Sequence, residues 1–279
     1  MLISVIIPAY NRAGVLGRAM ESVLAQTLAP VEIVVVDDGS TDETPALLNA
    51  YADSGSIRVL HQENKGVSAA RKQGIRHARG NVIALLDSDD YWEPAKLEKQ
   101  LRFMNEGGWE ICQTDEIWIR NGRRVNPRRV HAKPCGWIFE RSLEMCLVSP
   151  SAVMFTRKLW ERHGPFEESL PACEDYHLWL QVSAKNAVGF LPEPLTIKTG
   201  GHEDQLSRKI IGLDLYRIYS LLDVLQTGDL DPTQRRKCAE TLARKSFVYR
   251  QGCIKRGKES EAVRIAKLLQ EVLALHLRA

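Results

Sequence analysis

The chain has 279 residues, 44% of them hydrophobic, and 38 Lys and Arg against 35 Asp and Glu, a formal net charge of +3. That length holds one large domain with an attachment or two modest ones, and so small a charge excess gives no support to a nucleic-acid partner. Six cysteines at 112, 135, 146, 173, 238 and 253 form no C-x-x-C pair, which argues against a zinc ribbon or a disulfide scaffold, and no run approaches the roughly 20 apolar residues of a membrane span.

In chain order, residues 2–7 are almost all apolar or β-branched and read as a strand buried on both faces, stopped at Pro8. No basic stretch precedes this short run, so it does not read as a signal peptide and the expected compartment is the cytoplasm. After the loop Ala9-Tyr10-Asn11-Arg12, apolar residues at 15, 16, 19, 20, 23 and 24 give one face of a helix. Residues 32–36 form a second strand that ends in Asp37-Asp38-Gly39-Ser40-Thr41-Asp42-Glu43, and Ser40 with Glu43 has capping-box spacing for the next helix. A third strand over 57–61, a turn through Lys65-Gly66 and a helix over 67–78 lead to a fourth strand at 82–86. Repeated strand-helix units imply a mostly parallel sheet with ligands beyond the carboxyl ends of the strands, so Tyr10, Asp38, Lys65, Asp87, Ser88 and Asp89 share one rim.

The fourth strand stops in Asp87-Ser88-Asp89-Asp90. Carboxylates this crowded repel one another unless a cation sits among them, and hard oxygen ligands suit Mg²⁺ or Mn²⁺. The plainer reading of the same residues is an Asp-rich turn capping the helix that starts near Pro94.

After a helix over 94–105 the pattern turns mixed, with an Asn121-Gly122 hairpin signal between extended runs. Arg120, Arg123, Arg124, Arg128, Arg129 and Lys133 read first as a solvated hairpin face, with an anionic acceptor as the alternative. Residues 149–155 read as a strand entering the core, followed by a short helix to His163. Glu174 and Asp175 stand at a predicted helix start, where the helix dipole favours acids. Short strands at 188–191 and 195–198 deliver the loop Thr199-Gly200-Gly201-His202. From Arg208 onward 15 basic residues outnumber 8 acidic ones, and three amphipathic helices follow, with stripes such as Ile211, Leu215, Ile218, Leu222 and Leu225 and, later, Ala262, Ile265, Leu269 and Leu273. Packing on the core is the first reading of those stripes, and a homodimer contact or an anionic membrane surface is the second.

Taken in order, Pro8-Ala9-Tyr10-Asn11, Val36-Asp37-Asp38-Gly39-Ser40-Thr41-Asp42, Asn64-Lys65-Gly66-Val67-Ser68-Ala69-Ala70-Arg71, Leu86-Asp87-Ser88-Asp89-Asp90 and Glu174-Asp175 resemble the family 2 inverting nucleotide-sugar glycosyltransferases. The resemblance covers residues 1 to about 206. It implies the GT-A fold, an α/β, Rossmann-like, mostly parallel mixed sheet flanked by helices. Residues 1–105 would then serve the donor and 106–206 the acceptor, with 207–279 a C-terminal helical extension. It also implies nucleotide-binding roles for Pro8, Tyr10, Asn11, Asp38, Lys65, Gly66, Arg71, Asp87 and Ser88. Among these, Tyr10 would stack on the base, Asp38 would accept its imide hydrogen and Arg71 would help hold this end of the nucleotide. Asp89 would ligate Mn²⁺ or Mg²⁺ between the two phosphates, with His202 as a further ligand. Asp175 would take the acceptor hydroxyl's proton as that oxygen attacks the anomeric carbon, supported by Glu174. The implied partners are a nucleotide-sugar donor, commonly UDP-linked, and a saccharide or lipid-linked acceptor in surface-polysaccharide synthesis, met in the cytoplasm or at the inner face of the membrane.

Two other readings stand beside it. Asp-x-Asp after an apolar strand also occurs in Mg²⁺-dependent aspartyl-phosphate phosphatases, although those usually carry Thr or Val where this chain has Tyr91. That reading leaves the nucleotide rim unexplained. A non-catalytic, transferase-like binding or assembly module would need neither Asp89 nor Asp175.

Overall fold

The computed structural model describes residues 1–126, 128–201, 210 and 212–276, with side chains to residue 270. Strand β1 (Ile3–Ala9) lies parallel between β2 (Glu32–Asp37) and β4 (Val82–Leu85), and β3 (Arg58–His61) joins β2 on its far side. The crossovers are α1 (Ala13–Leu24), α2 (Thr44–Asp53) and α3 (Val67–His77). The unbroken apolar run of β1 follows from burial on both faces. Ile3, Val5 and Ile7 pack with Leu16, Met20 and Val23 of α1, while Ile6 packs with Ala70 and Ile75 of α3 on the other face. Gly74 permits that second contact, because a Cβ there would lie 2.4 Å from a methyl of Ile6.

Beyond β4 the sheet becomes mixed. It continues through β8 (Val153–Thr156), antiparallel to both β4 and β6 (Ile111–Arg120), then β9 (Gly189–Gly200), parallel to β6, and ends with β5 (Tyr91–Trp92). Two antiparallel steps restore the direction of β4, so the carboxyl ends of β6 and β9 emerge at the same rim as those of β1, β2 and β4. The hairpin from β6 into β7 (Arg123–Val125) turns at Asn121 and Gly122, both at positive φ, as its sequence predicts.

The two short strands expected around residues 188–198 are one strand, β9. Pro192 and Pro194 are tolerated because the β6–β9 register shifts around Asp115 and leaves a bulge where a regular ladder would demand their missing N–H groups. The Ser40–Glu43 capping box does not form; Asp42 accepts the Thr44 amide at 2.9 Å, and Ser40 is bonded elsewhere.

Helices α4 (Lys96–Gly107), α5 (Phe139–Ser142), α6 (Arg157–His163) and α7 (Glu174–Lys185) flank this half. After residue 210 come α8 (Leu213–Thr227), α9 (Pro232–Lys255) and α10 (Glu259–His276). Ile218, Leu222 and Leu225 of α8 share a core with Tyr176, Leu180 and Ala184 of α7 and with Cys238 and Leu242 of α9. The first stripe therefore packs on the body of the protein, and Ala262 and Ile265 of the later one are buried too. Ile211 lies outside the described residues. Among the described residues, no helix is long and apolar enough to cross a membrane.

Candidate active site

The rim begins with an acid held by backbone amides. Asp38, just past β2, accepts hydrogen bonds from Gln62 Nε2 at 2.7 Å, the Lys65 amide at 2.9 Å and the Gly66 amide at 2.8 Å. Gly39, at φ +77°, passes so close to this loop that a Cβ would stand 2.8 Å from the Asn64 nitrogen. Opposite, Asn11 accepts the Thr41 amide on Oδ1 at 2.8 Å and donates its own amide to Ser40 Oγ at 2.9 Å. These bonds join the loops after β1 and β2 and leave Tyr10 between them, 44% exposed. Pro8 is buried within β1 opposite Val36, while Lys65 and Gly66 are exposed at the rim.

Arg71 on α3 links the end of β4 to the start of α7. Its guanidinium, 4% exposed, donates to Asp87 Oδ1 at 2.7 Å and to Glu174 Oε1 at 2.6 Å, 5.3 Å from the Phe166 ring centre. Arg71, which the family resemblance gives to the nucleotide, is thus bonded on both sides of its guanidinium to carboxylates. Glu174 is buried, and burial, followed by the charge of Asp175, raises its carboxyl pKa against the pull of Arg71. Asp175 is only half-buried: Oδ1 accepts the Tyr176 amide at 2.6 Å, and the Cys146 thiol lies 3.5 Å from Oδ2.

Ser88 is buried and Asp89 half-buried at the tip of β4. The Asp89 carbonyl accepts from Arg18 Nη2 at 2.9 Å and from the Thr199 hydroxyl. His202 lies outside the described residues.

The sequence reading placed Asp90 in the carboxylate cluster but missed its role in locking this tip, and missed Lys198 and Glu116 altogether. Asp90 is buried, accepts Ser151 Oγ at 2.6 Å and the Thr199 amide at 2.8 Å, and so ties β4 to β9. Burial, with the charges of Asp89 and Asp87 opposing Lys198, pushes its carboxyl up to about 8. Lys198 on β9 donates to Ser149 Oγ at 3.1 Å. Burial alone would lower its pKa, but the carboxylates of Glu116, Asp90, Asp87 and Asp175 outweigh it and hold the ammonium charged. A cation at an inward position of the alternating stretch Leu195-Thr196-Ile197-Lys198 is the signal that would have found it. Glu116 completes the cluster: despite burial, Lys133 and then Lys198 bring its carboxyl down to about 2.

Among the described residues no group of three or more His, Cys, Asp or Glu is poised for a metal. The donors that remain are the crowded carboxylates at the end of β4, and hard, anionic oxygens of this kind fit Mn²⁺ or Mg²⁺ when phosphate oxygens supply further ligands.

Residues 4–160 match the family described as "Glycosyl transferase family 2". An uncharacterized glycosyltransferase of Rickettsia felis is 37% identical over 195 residues, covering 70% of this chain and 32% of its own length, so this chain spans about a third of that relative. The UDP-Glc:alpha-D-GlcNAc-diphosphoundecaprenol beta-1,3-glucosyltransferase WfaP of Escherichia coli is 32% identical over 190 residues, covering 66% of this chain and 71% of its own. Among solved structures, S. aureus TarS in complex with UDP-GlcNAc superposes with a TM-score of 0.76 at 21% identity, over 99% of this chain and 84% of that one. A Pyrobaculum calidifontis mannosyltransferase with GDP-Man and Mn²⁺ gives 0.63 at 17% identity, over 99% and 86%. The amide-held Asp38 and the carboxylates of β4 and α7 thus sit on a GT-A sheet, and the chain belongs to glycosyl transferase family 2.

Proposed function

We propose that the chain moves a sugar from a UDP-linked donor to an acceptor hydroxyl in one displacement that inverts the anomeric centre, with Asp175 as the base. The carrying observation is the unequal treatment of two adjacent acids: Glu174 is buried against Arg71, while Asp175 is half-exposed at the start of α7. A base must reach the incoming hydroxyl, and Asp175 is the more accessible of the two acids. Glu174 and Arg71 then act by fixing the position of α7 relative to Asp87.

On the donor side, Tyr10 offers its ring to the base. Asp38 uses three of about four acceptor positions on the loop after β3, leaving one on Oδ2 for the imide hydrogen. Asn11, Pro8, Lys65 and Gly66 shape that pocket, and Asp87 and Ser88 meet the ribose. Asp89 would hold the divalent cation, joined by His202, and the ion would supply Lewis-acid neutralisation of the departing diphosphate. UDP is favoured by the UDP and UDP-GlcNAc bound to TarS and by the UDP-glucose donor of WfaP, and the latter also favours a lipid-linked saccharide acceptor in polysaccharide synthesis beside the membrane. Residues 1–105 would then serve the donor and 106–206 the acceptor, with 207–279 as buttress. The phosphatase alternative leaves the amide-held Asp38 and the exposed Tyr10 beside it without a role.

Calorimetric titration with UDP, GDP and dTDP, each with Mn²⁺ and again with EDTA, tests this. UDP binding that collapses in EDTA is the expected result, and binding of none of the three would reject the donor site.

A further inference from the structure

We infer that the β6–β7 hairpin is an anion subsite for the acceptor, built to take a phosphate or diphosphate group that the acceptor carries close to its reacting sugar. This rests on the glycosyltransferase reading above and adds to it the chemical class of the acceptor.

Residues 117–139 contain six Lys and Arg and no Asp or Glu. Lys133 is spent within the fold, buried 2.9 Å from Glu116. The other five, Arg120, Arg123, Arg124, Arg128 and Arg129, are exposed, and none forms an ion pair with a described residue. What sets the hairpin apart is the density of like charge: five exposed guanidiniums lie within ten residues of one another, on a segment that carries no acid.

Its position gives the charge a purpose. Trp118 lies in register with Lys198, and Arg120 with Gly200, two positions further out along strands that both end at the active rim. Glu116, Trp118 and Arg120 alternate onto one face: Trp118 Nε1 donates to Glu116 Oε2 at 2.9 Å, and the Arg120 guanidinium lies 5.9 Å from the Trp118 ring centre. That face also carries Lys198, which is in register with Trp118 and whose ammonium donates to Ser149 Oγ at 3.1 Å. A line of side chains therefore runs out along the ends of β6 and β9, at the active rim, to guanidiniums that form no ion pair with a described residue.

The donor's own diphosphate belongs at Asp89, so these arginines answer to a different anion. A neutral saccharide needs hydrogen bonds and a flat surface, whereas planar guanidinium forks match phosphate oxygens two at a time. A lipid headgroup layer would also attract them, but the strands that carry this hairpin end at the rim where the acceptor must meet the donor.

The test uses two probes: N-acetylglucosamine joined through a diphosphate to a short alkyl chain, and the same sugar on the same chain without the diphosphate. Protein saturated with UDP and Mn²⁺ should bind the first at least about tenfold more tightly, the size expected for one charge-assisted contact. The Arg120→Ser/Arg123→Ser/Arg124→Ser variant should lose that preference and keep its UDP affinity. Equal binding of both probes by the wild type, or an unchanged preference in the variant, would overturn the subsite. So would a variant that keeps the preference but no longer sediments with phosphatidylglycerol vesicles, which would assign the arginines to a lipid surface. If UDP itself fails to bind, the donor reading is what falls, and the probe preference measured without UDP still decides the hairpin.

Discussion

Asp175→Asn removes the proton acceptor while leaving a side chain of the same shape, so UDP affinity should stay within about twofold and transfer should fall by roughly 10²–10⁴. Single-turnover rates beside calorimetric UDP titrations check this, and transfer at the wild-type rate would reject Asp175 as the base. A second residue-scale effect lies far from the chemistry. Lys96 is fully buried, 2.7 Å from Gln100 Oε1 and 4.0 Å from the centre of the Trp92 ring, and burial pushes its ammonium down to about 7. The unfolded chain keeps that proton until about pH 10.4, so between these values it binds one proton that the native state lacks. Stability should therefore rise with pH across that window, by at most about 1.4 kcal/mol per unit, and level off below pH 7 where both states are protonated. Lys96→Met should flatten this rise in denaturant midpoints measured from pH 7 to 10.

The start of α9 offers an element-scale check. Asp231 accepts the Gln234 amide at 2.8 Å, and Gln234 returns a bond to the Asp231 amide at 3.1 Å, a complete capping box. Asp231→Ala should cost about 1 kcal/mol in a urea unfolding curve with no change in transfer rate. The same motif explains where sequence reading works. Local signals carried through: the both-face burial of β1, β2 and β4, the Asn121-Gly122 turn and the acids opening α7 all depend on neighbours a few positions away. Where partners come from afar, the reading failed. Ser40 is taken by the Asn11 amide 29 positions earlier, so its capping box never forms. Two prolines looked like strand breaks in β9 because the bulge that admits them is set by Asp115 on another strand. Lys198 looked like an ordinary strand lysine, since the acids around it stand at 87, 90, 116 and 175. The rim was legible as a set of residues, but not the network that fixes them.

For the whole molecule, the helices after residue 210 and the catalytic body are not independent, because α7 belongs to both. Its first turn holds Glu174 and Asp175, and its flank closes the core with α8 and α9. His177, two positions past the proposed base, meets Asp223 of α8 at 2.7 Å, Nε2 to Oδ2. The donor, by contrast, would be gripped by loops of β1, β2 and β4, none of which touches that core. On the proposed roles, speed and grip would be lodged in different stretches of the chain, joined through the Asp87–Arg71–Glu174 bonds. Asp223→Ala should yield a slow enzyme that still captures UDP at the wild-type affinity, and a variant weakened equally in both would show that α7 does not separate them. Substitutions throughout α8 and α9 should follow the same rule, so a survey scoring only nucleotide capture would pass over the part of the protein that sets its pace.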